Sequence, residues 1–398
     1  MGMSGISGSE YFLRTEEPNE NTKAPFLIHF GGPRLHCSVA PKNGAILTSY
    51  AINTSRPTPP RDSEGATEGL NDREEFVELL FRGNDFSTTQ GWDGKSPVLW
   101  PAVGRNVTSE QIDLARKANP SKPSKPGTCR FTLGLVDGAA NEMPLHGFAQ
   151  HLPWKLVEEK VEADRVYVVL SLDSSKVTGD SKLCYPFEYS TTLKYTVSEG
   201  TLTLDLEVNN LSDAESDMPM LPFSFGTHPT FKLPFVKKNF DWSEAYFCGT
   251  STVDLKLNEF SCLSGDGVDH AKRSAEEVVT ADKVKSVRLP VREFSDNVLG
   301  KASVFSKRPF ASMTLVSPSE MMFVTVTQSL LGEKHAELHS EDLYMVMWGD
   351  EEAGFMCVEP WMGGPNSLNT GQGAILLQPG ESFRMRHTYS SGFQHDRD

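Results

Sequence analysis

Metal-ligand spacing is missing from this chain. Its six cysteines, Cys37, Cys129, Cys184, Cys248, Cys262 and Cys357, are dispersed and form no CxxC pair, so reduced thiols, several buried as small hydrophobes, are the plain expectation. His335 and His339 stand at i and i+4, but the glutamate of a His-Glu-x-x-His face is absent and Glu333, Glu337 and Glu341 make a solvated acidic face; no metal is expected. Positive charge is scarce as well. Against 53 Asp and Glu stand 38 Lys and Arg, for a net charge of −15, and the densest basic stretch, Lys122 to Lys125, is interrupted by Pro123 and Ser124. A nucleic-acid partner needs clustered Lys and Arg and is excluded on that ground. No run approaches the ~18 apolar residues of a membrane span. Met1 to Glu10 is polar and Gly/Ser-rich without a secretory h-region, and Ile6 stands where a myristoylation signal wants Ser or Thr. The expected compartment is the cytosol, with the sequons at Asn53, Asn106 and Asn210 read as chance matches.

Amphipathic helices are also scarce; short apolar runs separated by turn residues take their place. Residues 1–24 read as a disordered leader. Leu35 to Ala40 and Ala45 to Ile52 read as strands paired around Pro41-Lys42-Asn43-Gly44, and Arg56 to Glu74 as a loop. Thr201 to Asn209 alternates strictly, with Leu202, Leu204, Leu206 and Val208 on one face and Thr203, Asp205, Glu207 and Asn209 on the other. Period 2 marks a half-buried antiparallel strand, and Ser198-Glu199-Gly200 supplies the hairpin turn before it. Ala374 to Gln378 and Ser382 to Tyr389 read as a closing pair around Pro379-Gly380-Glu381, and Glu333 to His339 as two helical turns. Residues 109–128 are an exposed insertion: Glu110 to Lys117 suits a short helix, while Pro120, Pro123 and Pro126 prevent helix or sheet beyond it. Many strands and no linker predict one all-β domain over 25–398, a large antiparallel sandwich or barrel.

Four segments set polar groups among apolar, strand-like residues. Ser96 to Asn106 carries Arg105, and Pro144-Leu145-His146-Gly147-Phe148-Ala149-Gln150 carries His146 and Gln150. Phe225-Gly226-Thr227-His228-Pro229-Thr230-Phe231 and Cys357-Val358-Glu359-Pro360-Trp361 each place one titratable residue directly before a proline. A residue in that position is pushed to extended geometry, so His228 and Glu359 are expected at strand ends with fixed orientations. A carboxylate next to Trp361 is costly to bury without a polar partner. One histidine and one glutamate so held are the minimum for general acid–base work on a neutral substrate. Mutual attraction is expected to keep them as histidinium and carboxylate.

In these four segments, taken in order, the chain resembles the aldose 1-epimerase (galactose mutarotase-like) superfamily over roughly residues 28–392. Residues 97–105, 226–231 and 357–363 are similar to those of bacterial-type aldose epimerase-like proteins, and His146-Gly147-Phe148-Ala149 also resembles the hexose-6-phosphate 1-epimerases. The resemblance implies an antiparallel β-sandwich of galactose mutarotase-like type. It further implies interconversion of sugar anomers without a cofactor, with Glu359 removing the proton from O1 and His228 protonating the ring oxygen. Arg105 and His146 would bind hydroxyls, with Asp296 as the candidate for the family's sugar-binding aspartate. Trp361, Phe231, Phe148 or Trp154 would form the apolar floor, and Trp92 and Trp348 read as core. Gln150 replaces the arginine of phosphate-specific relatives, which favours a free hexose. The rivals are a hexose-phosphate 1-epimerase holding its phosphate with Arg105, Lys232 or a loop lysine, and a carbohydrate-binding module without turnover.

Overall fold

A computed structural model describes residues 3–4, 10–19, 25–54, 76–83, 94–135, 139–237, 240–264, 267–269, 277–279, 285–294, 296–300, 309–332 and 339–393. The expected loop over Arg56–Glu74, the helical turns over 333–338 and Trp92 lie outside them. Two large antiparallel sheets carry the architecture. The first has nine strands in the order Lys155–Val161, Arg165–Asp173, Tyr189–Ser198, Thr201–Asn210, Ser382–Phe393, Met322–Leu330, Phe310–Ser317, Tyr246–Gly249 and Leu289–Pro290. Its hairpin between Tyr189–Ser198 and Thr201–Asn210 follows the period-2 pattern: Leu202, Leu204, Leu206 and Val208 are all buried. Glu199 and Gly200 both take positive φ at the turn, the geometry that matches the strands' twist.

The second sheet runs Val268–Asp269, Val253–Leu255, Asp296–Gly300, Leu343–Asp350, Phe355–Met362, Phe225–Thr227 and Val98–Leu99, with Thr230–Lys232 also paired to Phe355–Met362. The two sheets face one another as a sandwich. Gln328, on the first sheet, donates through Nε2 to the carbonyls of Tyr344 (2.6 Å) and Trp361 (3.2 Å) on the second. A smaller sheet holds Phe12–Glu16, Leu27–Gly31, Leu35–Ala40 and Ile46–Asn53. Among the described residues no helix is long and apolar enough to cross a membrane.

Two expectations need correction. Phe12–Glu16, inside the presumed disordered leader, is a strand paired with Leu27–Gly31, and Leu13 is buried in the core. The closing segments do not pair with each other. Ile375–Leu377 joins Leu221–Phe223, while both edges of Ser382–Phe393 are already taken by Thr201–Asn210 and Met322–Leu330. The intervening turn is held by Asn210, whose carbonyl accepts from Gly380 N and whose Nδ2 donates to Leu377 O. The insertion does begin with a helix, Ser109–Ala118, closed at its start by a capping box between Thr108 and Gln111. Beyond it most of residues 119–128 are exposed, and two contacts tie the insertion to residues 259–261. Arg116 pairs with Glu259 at 2.8 Å, and Lys125 Nζ donates to Ser261 Oγ at 2.6 Å.

Candidate active site

The Phe355–Met362 strand is the spine of the site. Its partner along one edge is interrupted: Phe225 and Gly226 pair with Met362 and Trp361, then Thr230, Phe231 and Lys232 pair with Cys357, Met356 and Phe355. His228 and Pro229 occupy the break, opposite Val358 and Glu359, with Pro229 O accepting from Val358 N. A strand's N–H groups at i and i+2 point to the same edge, so the missing donor of Pro360 also falls at this interruption. Glu359 therefore sits within an eight-residue strand, not at a strand end as expected. His228 does stand between strand ends, anchored by its backbone N–H to Pro97 O at 3.0 Å.

This register puts His228 Nε2 3.3 Å from Glu359 Oε1. Both are deeply buried, at 7% and 1% exposure. Trp361, two residues on and on the same face as Glu359, donates Nε1–H to Glu359 Oε2 at 3.1 Å. Burial raises the Glu359 carboxyl well above its usual range; the Trp361 donor works against that shift, and the charge of Asp296 adds to it. Burial likewise pushes His228 well below its usual value, assisted by His146. Burial thus pushes the pair toward a neutral carboxylic acid beside a neutral imidazole, against the attraction that would make it an ion pair. Desolvation outweighs attraction here because both groups are cut off from the water that would hold their charges.

The Pro144–Gln150 segment presents His146. His146 and Gly147 both have positive φ, and a Cβ on Gly147 would lie 2.3 Å from Trp100 O, so glycine is required there. Gly104 N donates to His146 Nδ1 at 3.1 Å, which places the ring proton on Nε2. Burial and the charge of Arg105 hold His146 down at about 4, a neutral donor at neutral pH. Next to Gly104, Arg105 Nη1 donates to Pro126 O of the insertion at 2.9 Å.

All seven residues singled out in the sequence, Arg105, His146, Gln150, His228, Asp296, Glu359 and Trp361, line one cavity of about 480 Å³. Lys95, Lys125, Leu257, Ser261 and Trp348 also line it without having been expected to. Trp348 meets His228 edge-on at 5.8 Å between ring centroids, so it is a wall of the site as well as a strand residue. Phe148, Phe231 and Trp154 are instead buried in the core, leaving the indole rings of the wall to Trp361 and Trp348. Lys232 pairs opposite Phe355 and is not among the lining residues, because the strand has by then run past the site. Gln150 Nε2 is turned to Leu145 O at 3.3 Å.

One donor set invites a metal: His228, Cys357 and Glu359 place a ligand atom each within 4.8 Å of one another. Two of the three are already engaged within the protein: Cys357 Sγ lies 3.4 Å from Thr230 Oγ1, and Glu359 Oε2 accepts from Trp361 Nε1.

Solved structures of similar fold cover nearly the whole chain. A galactose mutarotase-like protein from Clostridium acetobutylicum matches with a TM-score of 0.66 at 16% identity, over 96% of this chain and 99% of its own. The Slr1438 protein of Synechocystis sp. PCC 6803 matches at 0.61 and 17%, over 96% and 99%. Galactose 1-epimerase of Lactobacillus acidophilus NCFM matches at 0.55 and 14%, over 97% and 100%. The fold is thus the galactose mutarotase-like, all-β class. No curated protein matches the chain in sequence. The family model described as aldose 1-epimerase matches residues 134–390, and the chain belongs to that family.

Proposed function

We propose that the protein interconverts the α and β anomers of an aldose by general acid–base ring opening and closure. The observation that carries this reading is the buried His228–Glu359 pair, 3.3 Å apart at the cavity wall. O1 and the ring oxygen O5 share one carbon, so an acid and a base acting on them must lie side by side. In the charged arrangement, Glu359 carboxylate takes the O1 proton while His228 imidazolium donates to O5. The C1–O5 bond breaks, and the electrons of the O1–H bond form the aldehyde. Rotation about C1–C2 and the reverse transfers close the ring on the other face. Ring opening leaves Glu359 and His228 neutral, the state burial favours, so desolvation drives the two transfers forward. The single proton the pair holds can return to His228 across the same short gap, with Trp361 Nε1–H steadying the carboxylate. His146 Nε2–H would hold a sugar hydroxyl, and Trp361 and Trp348 would pack against the ring's C–H face.

Anomer exchange of freshly dissolved α-glucose and α-galactose, followed by polarimetry or exchange NMR, tests the reading. Acceleration above the uncatalysed rate is the expected result. Sugars that bind without any acceleration would leave a binding module. A finer prediction concerns Trp361. Trp361→Phe removes the donor that favours the carboxylate, so the Glu359 titration moves to higher pH. The alkaline limb of the kcat/KM profile, where the pair loses its one proton, should shift upward, and the rarer carboxylate–imidazolium form should cost about a tenfold loss near neutrality. An unmoved limb would take Glu359 out of that role.

A further inference from the structure

Three cations line the cavity, Lys95, Arg105 and Lys125, and the acid–base chemistry uses none of them; Lys95 is buried at 3% exposure, and Arg105 and Lys125 are the two tied to the insertion. Arg105 contributes its guanidinium to the wall, where its hydrogen bond goes to the neutral carbonyl of Pro126. Lys125, from the proline-rich end of the insertion, contributes its ammonium, which donates to the neutral hydroxyl of Ser261. Among the described residues neither has a carboxylate within ion-pair distance, although the chain carries fifteen more negative than positive charges. Two cations converging without a counter-ion repel each other, and an acidic protein offers many carboxylates that could have neutralised them. Apart from Asp296, the remaining ionisable neighbours supply no negative charge. His146 and His228 are held neutral by burial, and so is Glu359. Asp296 is the one exposed carboxylate in the lining, at the start of Asp296–Gly300 beside the Glu359 strands.

Lys125 is exposed, and side-chain contacts tie its segment to the loop that carries Ser261. Arg116 of the insertion helix makes a two-pronged contact to Glu259 through Nε (3.0 Å) and Nη2 (2.8 Å), and its guanidinium lies over Phe260 at 5.6 Å. Asn258 Oδ1 accepts from Phe260 N and Cys262 N and so fixes the 258–262 loop that carries Ser261. Arg105 ties down Pro126, next to Lys125. The insertion and this loop therefore form one docked wall. A line of contacts leads from the acid–base pair outward: Glu359 to His228, His228 to His146 (5.9 Å between ring centroids), His146 to Gly104, and Arg105 to Pro126.

We propose that Lys125 and Arg105 form a subsite for an anionic substituent, a phosphate or a carboxylate, on the part of the sugar remote from its anomeric carbon. The proposal rests on the anomer-exchange reading for the meaning of the site and narrows it to acidic sugars. It also gives the insertion a role, since another segment thereby supplies the cation that Gln150 does not provide. Two charge-assisted contacts recognise a tetrahedral or planar anion, and the local positive field offsets the repulsion an anionic sugar meets from the acidic surface.

The test compares glucose, glucose 6-phosphate and glucuronate, in turnover with wild type, Lys125→Gln and Lys125→Arg, and in binding by NMR titration of the same proteins. Wild type is expected to prefer at least one acidic sugar over glucose. In Lys125→Gln that preference should fall by about tenfold to a hundredfold, with Lys125→Arg restoring most of it and added salt eroding it. The phosphate and carboxylate arms identify which anion fits. An equal or better response to glucose, or a preference that ignores Lys125→Gln, overturns the subsite. Absence of turnover on every sugar, with the Lys125-dependent binding preference intact, would sink the epimerase reading and leave the anion subsite standing.

Discussion

Glu359→Gln is expected to lower kcat for anomer exchange by about 10²–10⁴-fold, and His228→Asn by a similar factor. Both residues are required to move protons at two oxygens of one carbon, so the double variant should lose little more than either single one. Substrate affinity should survive, because Gln keeps the shape and one hydrogen-bonding edge of the protonated carboxyl toward which burial pushes Glu359. Stability gives an independent reading. A carboxyl raised by burial binds its proton more tightly folded than unfolded, so it costs stability as pH rises above the unfolded value. Glu359→Gln should therefore be more stable than wild type at pH 7, with the advantage vanishing toward pH 4. Loss of activity with a gain in neutral-pH stability marks a group kept for chemistry. A variant that loses activity and stability together at every pH would point to a structural carboxyl instead.

The pair was legible because each member sits before a proline in an apolar run, a combination that structure alone seldom calls for. Arg105, His146, Gln150 and Trp361 could be placed with them because four segments kept a recognisable order, and Asp296 only as the candidate for a family aspartate; the cavity they share is a consequence of long-range pairing that no local pattern encodes. The same limit explains the errors. Period-2 alternation finds Thr201–Asn210 but does not say which strand lies beside Ile375–Leu377. Trp348 looks like core because a strand residue facing a cavity and one facing packed side chains have the same periodicity. Lys125 lies in a Pro/Ser/Lys stretch that reads as solvent-exposed, and the contacts that return it to the site come from Glu259 and Ser261, far along the chain. Charge state was the subtlest miss. Sequence neighbours suggest an ion pair, whereas burial, known only from the fold, pushes both groups toward their neutral forms.

Burial of neutral histidines also makes the fold acid-sensitive. His387, on the central Ser382–Phe393 strand, is completely buried beneath the site; its Nδ1 lies 3.0 Å from Thr227 Oγ1, its ring faces Phe225, and no partner among the described residues meets its Nε2. Burial holds it down at about 3. The unfolded chain takes up a proton near pH 6.5 that the folded chain refuses, so the stability His387 contributes is complete above 6.5. It is lost as pH falls toward 3, at about 1.4 kcal/mol per pH unit. Between pH 7 and pH 5 this single residue should cost about 2 kcal/mol. His146 and His228 act in the same direction, whereas Glu359 acts in the opposite one. His387→Phe keeps an aromatic ring against Phe225 and removes the titration, and Thr227 retains its 2.6 Å hydrogen bond with the Tyr389 hydroxyl. Denaturant unfolding at pH 7 and pH 5 should show the variant losing about 2 kcal/mol less than wild type over that interval. Equal losses in the two proteins would mean that His387 takes up its proton in the folded state, through an opening of the sandwich that reaches the floor of the active site.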